Sequence, residues 1–270
     1  MPIRLIATDL DGTLMAPDHM TVTKRTKKAL FAAHEKGIKI AIATGRTLRF
    51  TDSVTKQIPF ADYVISSNGA AVYDRNAEKY VYSTLVSNKD ALEAVDLLNS
   101  LPVHYHIYLG GRIYIQNSAM QFTADTGLPE DFLQEFISKV TLCDDLKSVI
   151  GENDVEVIDV FSMGESEAAI VDFFEKKNLV MTSAVRGELA ATAVGADKGT
   201  AIGGLCGVLG ITADEVMTFG DADNDCPMLE FAGLSFAMEN GRDICKSVAK
   251  AVAPSNAEDG VAQMIEKYAL

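Results

Sequence analysis

Apolar residues gather in short, nearly unbroken runs at residues 3–8, 38–43, 63–66, 216–219, 234–237 and 251–253. Each run is strand-length and lacks the alternation of a sheet with one wet face, which predicts strands buried on both sides. Between the first two runs the spacing turns helical. Ala29, Leu30 and Ala33 recur at helical intervals in a stretch opened by Thr21 or Thr23 and closed by Gly37. A further helix is predicted between Arg46 and the strand at 63–66. Strand, helix, strand, helix, strand is the rhythm of a doubly wound, mostly parallel α/β sheet.

The texture changes after Asn68-Gly69. Runs at 70–73 and 80–83 flank a polar turn at 74–76 and predict a hairpin. From about 88 to 186, helical spacing mixes with probable hairpin pairs such as 103–108 against 112–115, the pattern of an α+β insert with its own core. The doubly wound texture returns with a helix opening near Lys198, followed by Thr212 and Glu215 at capping-box spacing. The expected organisation is a discontinuous core at 1–83 and 187–270 interrupted by an α+β domain at 84–186. There is no internal repeat and no low-complexity linker.

Charge and composition narrow the function classes. The 270 residues carry a formal net charge of −14, which disfavours nucleic acid as a partner but leaves small anions open, since these respond to the local field of a pocket. No apolar stretch reaches the length of a membrane span, and the amino terminus does not read as a signal peptide. Cys143, Cys206, Cys226 and Cys245 form no CxxC pair and no metal-ligand spacing, so they are expected as reduced thiols in a cytoplasmic protein. Oligomeric state is expected to be a monomer or a small homo-oligomer.

Four segments fall at predicted strand or helix ends, where a doubly wound sheet places its ligands. They are Asp9-Leu10-Asp11-Gly12-Thr13, Thr44-Gly45-Arg46, Lys198-Gly199 and the acid-rich run from Gly220 to Asp225. Any one alone reads as a turn or a solvated loop. Together they supply what phosphoryl transfer needs. Asp9 can serve as a carboxylate nucleophile and Asp11 as the acid/base for the leaving alcohol and the attacking water. Asp9 and Asp221 can share a hard cation such as Mg2+. Thr44 offers a hydroxyl and neighbouring backbone amides to phosphoryl oxygens, and Lys198 a compact positive charge. Asn224 can bind phosphate, and Asp225 can support the metal from behind its ligands.

These residues resemble the haloacid dehalogenase-like phosphatases, specifically the Cof-type sugar-phosphatase-like group. DLDGT at Asp9–Thr13, ATGR at Ala43–Arg46, DKG at Asp197–Gly199 and GDADND at Gly220–Asp225 match its four motifs in order, and SSNGA at Ser66–Ala70 resembles a further segment near the phosphate site. The resemblance implies that Asp9 is the nucleophile and a Mg2+ ligand, Asp11 the acid/base and a ligand through its carbonyl, and Asp221 the remaining metal ligand. It implies phosphate contacts from Leu10, Thr44, Gly45, Lys198 and Asn224, with Asp225 behind the metal ligands and Arg46, Asn68 and Gly69 near the substrate. The insert at 84–186 would be a cap that closes over the phosphate site and chooses the leaving group. Small phosphorylated metabolites, sugar phosphates foremost, are the implied substrates. A phosphomutase of the same superfamily shares the motifs. A non-catalytic sugar-phosphate sensor would have no use for an acid/base beside a nucleophile, and a receiver domain would be about half this length. The family often carries an acid and an isoleucine some eight residues before the third-motif lysine; here the place reads Ala190-Ala191, with Glu188 offset.

Two other features are read structurally. His104 and His106 are expected on one face of a strand with Tyr108 beyond them, a semi-polar sheet face without a convincing third metal ligand. The glycines at 203, 204, 207 and 210 lack the strand-first order of a dinucleotide fingerprint and are expected to serve close helix packing.

Overall fold

The computed structural model describes residues 2–119, 130–183 and 187–270. The chain divides into two compact units, Met1–Ser83 with Ala196–Leu270, and Thr84–Gly195. In the first unit the strands are β1 (Leu5–Thr8), β2 (Lys39–Ala43), β3 (Tyr63–Ser66), β4 (Ala71–Asp74) and β5 (Lys79–Ser83). The second unit holds β6 (His104–Leu109), β7 (Arg112–Gln116), β8 (Thr141–Cys143), β9 (Val157–Phe161), β10 (Leu179–Thr182) and β11 (Glu188–Ala193). The chain then returns to the first unit with β12 (Val216–Gly220), β13 (Leu234–Met238) and β14 (Ala251–Ala253).

The first sheet runs β14-β13-β12-β1-β2-β3-β4-β5. Its strands are parallel from β14 to β3, and the hairpin β4–β5 adds an antiparallel edge. Two-sided burial explains why the strands do not alternate. Ile6, Ile40, Ile42, Met217 and Phe219 pack with Leu30 of the helix Lys24–Glu35 and Ile265 of the helix Gly260–Tyr268. Their strand neighbours Leu5, Ala7, Ala41, Ala43 and Val216 belong to the opposite core, with Ala201, Ile202 and Leu205 of the helix Lys198–Leu209. From β1 the chain proceeds one way through β2 and β3 and the other way through β12 and β13. The strand order therefore reverses between β1 and β12, and the crevice at their carboxyl ends is the natural ligand position of such a sheet.

Between Arg46 and β3 the structure has only a single turn at Leu48–Thr51 and the four-residue helix Asp52–Thr55, shorter than the helix expected there. Of the four glycines, Gly203, Gly204 and Gly207 lie inside the helix Lys198–Leu209 and Gly210 caps it at φ +63. A Cβ on Gly204 would sit 2.4 Å from the Tyr82 ring, whereas one on Gly207 or Gly210 would meet nothing within 4 Å, so close packing accounts for Gly204 and not for those two.

The second sheet, β10-β11-β9-β6-β7-β8, is antiparallel except for β7–β8. Tyr105, Ile107, Ile158 and Val160 face the helices Asn88–Asn99, Leu146–Ile150 and Glu167–Lys176. The other face carries His104, His106 and Asp159, all buried. The expected boundary at residue 186 falls outside the described residues. Because β11 pairs with β9 and β10, the second unit extends to Gly195.

Candidate active site

Asp9 directly follows β1, and its backbone N–H continues the ladder by donating to Phe219 O at 3.0 Å. Its carboxylate is buried and accepts from Lys198 Nζ at 2.7 Å through Oδ1. Lys198, the first residue of its helix, is fully buried and donates at 2.6 Å to Asp225 Oδ1 as well. Asp225 Oδ2 accepts from the backbone N–H groups of Asp221 at 2.8 Å and Ala222 at 3.0 Å, so both of its oxygens are engaged by the protein and it fixes the loop after β12. Asp221 accepts from Thr13 Oγ1 at 2.7 Å. Asp9, Lys198, Asp225, Asp221 and Thr13 thus form one connected group, drawn from residues up to 216 positions apart in sequence (9 to 225).

The turn after Asp9 depends on a glycine. Gly12 has φ +79, and a Cβ there would lie 2.4 Å from Asp221 Oδ2. Its carbonyl accepts from Asn240 Nδ2 at 2.7 Å. Leu10, which opens this turn, is buried.

A second group forms at the ends of β2 and β3. Thr44 N–H donates to Ile65 O at 2.9 Å, and Thr44 O accepts from Asn68 N–H at 3.1 Å. Asn68 sits at φ +56, and its Oδ1 accepts from Asn224 Nδ2 at 2.9 Å. A Cβ on Gly45 would lie 2.9 Å from that same Oδ1. Gly69 has φ +100, and a Cβ on it would lie 2.2 Å from Asp197 O, at the cap of the Lys198 helix. A third contact joins Arg46 to Asp11.

The sequence reading assigned no part to Thr13 or Asn240. Thr13 closes a motif whose acids drew the attention, and Asn240 lies in a turn after β13 that carries no pattern of its own.

A profile of the haloacid dehalogenase-like hydrolases matches residues 6–265. The chain belongs to this family. It is 30% identical over 268 residues to the 5-amino-6-(5-phospho-D-ribitylamino)uracil phosphatase YcsE of Bacillus subtilis, covering 99% of this chain and 96% of that protein. It is 28% identical over 284 residues to the phosphatase YwpJ of the same organism, covering 98% and 99%. Among solved structures, a haloacid dehalogenase-like hydrolase from Bacteroides thetaiotaomicron superposes with a TM-score of 0.83 at 23% identity, covering 98% of this chain and 99% of that one. A haloacid dehalogenase-like hydrolase from B. subtilis gives 0.78 at 27% identity, covering 98% and 99%.

The family's need for a divalent cation can be tested on this hydrolase's own residues. Ligand oxygens of Asp9, Asp221 and Asp225 lie within 4.8 Å of one another. When all three are ionised, these carboxylates outweigh the one ammonium by two negative charges. Burial pushes the Asp9 carboxyl up to about 8; Lys198 pulls it down, while Asp225 and Asp221 add to the rise. Asp221 is raised for the same first reason, its burial. Burial alone would lower the Lys198 ammonium, but Asp225 and Asp9 outweigh it and hold it above its ordinary value. A hard, divalent, oxygen-seeking cation fits this donor set and its charge. Asp9 and Asp221 could hold such an ion, since Asp225 already has protein partners at both oxygens.

Proposed function

We propose that this hydrolase is a Mg2+-dependent phosphatase of small phosphate monoesters, sugar phosphates foremost, working through an aspartyl-phosphate on Asp9. The observation that carries this reading is the Asp9–Lys198–Asp225 arrangement at the sheet's switch point. It presents a buried carboxylate with one oxygen held by a fixed ammonium. Holding one oxygen orients the other for in-line attack, and the ammonium offsets charge that would repel a phosphate dianion.

In the first half-reaction the free oxygen of Asp9 forms a bond to phosphorus as the ester P–O bond breaks. Asp11 gives its proton to the leaving oxygen. In the second, water attacks the phosphorus, its proton passes to Asp11, and the acyl phosphate P–O bond breaks to release inorganic phosphate. Thr44, Gly45, Leu10 and Asn224 supply donors to the non-bridging oxygens, and Asn68 steers Asn224 through its 2.9 Å hydrogen bond. A Mg2+ ion held by Asp9, Asp221 and the Asp11 carbonyl would supply charge neutralisation on those oxygens. The name of YcsE points to a phosphorylated ribityl compound, and that of a structurally similar sugar phosphatase to sugar phosphates. Both are polyol phosphates.

The test is phosphate release from a panel of sugar, polyol and ribitylaminouracil phosphates, with and without Mg2+. Release should require Mg2+ and fall at least about 1,000-fold in Asp9→Asn. Undiminished turnover in Asp9→Asn would rule out the covalent route.

A further inference from the structure

Arg46 holds Asp11 by both carboxylate oxygens. Nε donates to Oδ2 at 2.9 Å and Nη2 donates to Oδ1 at 2.6 Å. A planar guanidinium matched to a planar carboxylate sets orientation as well as distance, which one lysine contact cannot do. The backbone of Arg46 is itself fixed from two sides. Its N–H donates to Thr44 Oγ1 at 3.2 Å, and its carbonyl accepts from Ser67 N–H at 3.0 Å. The arginine is therefore anchored in the loop between β2 and β3 and reaches across to the turn after β1.

Asp11 has no comparable anchorage of its own. Its side chain is 43% exposed, and its other described ionic neighbour is His19, with Nδ1 at 3.5 Å and a side chain that is 62% exposed. An ion pair this exposed contributes little to stability. What it changes is where the carboxylate points. An acid/base works only when an oxygen lies within hydrogen-bond reach of the atom it protonates, and a displacement of about 1 Å can cost on the order of 100-fold.

Resting on the phosphatase reading above, we propose that Arg46 is a positioning residue for Asp11: it aligns the acid/base for proton delivery to the leaving oxygen and does not act through the phosphoryl group. The proton moves from Asp11 to the leaving oxygen as the ester bond breaks and is replaced from the attacking water, so Arg46 neither gains nor loses a proton in the cycle.

This assignment makes the effect of Arg46 depend on the leaving group. Glycerol 2-phosphate releases an alkoxide that needs a proton, whereas p-nitrophenyl phosphate releases a stabilised phenolate that scarcely does. In the full-length protein with Mg2+, Arg46→Ala should lower kcat/KM, which reads the half-reaction that expels the leaving group, by about 10–100-fold for glycerol 2-phosphate and far less for p-nitrophenyl phosphate. Asp11→Asn should show the same selectivity more strongly, and adding Arg46→Ala to it should cost nothing further on the alkyl ester. Arg46→Lys, which keeps the charge and the fold but loses the fork, should reproduce part of the selective loss. Equal losses in kcat/KM on both esters would make Arg46 a phosphate contact and overturn the proposal. A gain on the alkyl ester would overturn it too, showing that the fork restrains Asp11. If the unaltered protein hydrolyses neither ester, the phosphatase reading fails first, before any Arg46 variant is compared.

Discussion

At the residue scale, Lys198 carries the largest single burden. Its ammonium is fully buried between Asp9 and Asp225, with desolvation opposing it and two carboxylates holding it charged. Removing one partner of such a group leaves the others buried and uncompensated, which costs on the order of 3–5 kcal/mol. Lys198→Met should therefore lower unfolding free energy by about that amount in urea denaturation without added metal, besides abolishing turnover. A loss below about 1 kcal/mol would mean that water or protonation of Asp9 replaces the ammonium. Single residues were unevenly legible from sequence. Asp9, Asp221 and Lys198 could be singled out because four short segments fall in order at predicted strand and helix ends, although any one alone reads as a turn or a solvated loop. Thr13 could not be assigned to Asp221, which lies 208 positions away, because only the closed sheet brings them to 2.7 Å. The Asp11–Arg46 fork was hidden for the same reason. Both residues were singled out, but their pairing depends on how two loops at neighbouring strand ends face each other.

At the scale of elements, the helix Lys198–Leu209 has to sit close enough to the sheet hairpin to deliver Lys198, and its glycines permit that. A Cβ at Gly204 would come within 2.4–2.6 Å of three atoms of the Tyr82 ring on β5, a side chain whose body cannot yield by tenths of an ångström. Gly204→Ala should destabilise the protein by about 1–3 kcal/mol even though alanine favours helix, and Tyr82→Ala in the same chain should recover most of that loss. Additive effects in thermal melts would mean that the contact is not the reason for the glycine. The elements themselves were legible where the physics was simple. Each strand of the first sheet that packs into two cores reads as an unbroken apolar run. The segment between Arg46 and β3 misled because scattered apolar residues there cap a core without forming a long stripe: Val54 and Ile58 are buried, yet the regular helix spans only Asp52–Thr55. Short edge strands such as β8 and β10, half exposed along their length, carry too little pattern to be seen in sequence.

For the whole molecule, the net charge of −14 and two sets of buried acids make stability depend on pH. The second unit offers the cleaner case, since its acids stand apart from the Asp9, Asp221 and Asp225 cluster. Burial pushes the Asp159 carboxyl up to about 7, the neighbouring Glu188 adds to the rise, and the hydrogen bond from Tyr108 lowers it in part. Tyr108 donates its hydroxyl to Asp159 Oδ2 at 2.8 Å. Across the same sheet face, His104 and His106 bring their Nε2 atoms to 2.7 Å, and burial holds both imidazoles below their ordinary value. Two neutral rings can share one proton between those nitrogens, so the pair needs no charge on this face. The native state keeps a proton on Asp159 that the unfolded chain, with an ordinary carboxyl near 3.8, releases. The contribution of Asp159 to stability is then greatest below about pH 4, falls as the pH rises toward about 7, and levels off above it, a loss on the order of 4 kcal/mol if the shift is fully expressed. Asp159→Asn imitates the protonated carboxyl and can still accept from Tyr108, so its stability should decline less over that interval and exceed that of the unaltered protein at pH 8. Urea denaturation of the two proteins at pH 5 and pH 8 reads this directly, and contributions shared by both, including Asp9, cancel in the difference. Parallel declines would show that Asp159 is already ionised in the folded protein.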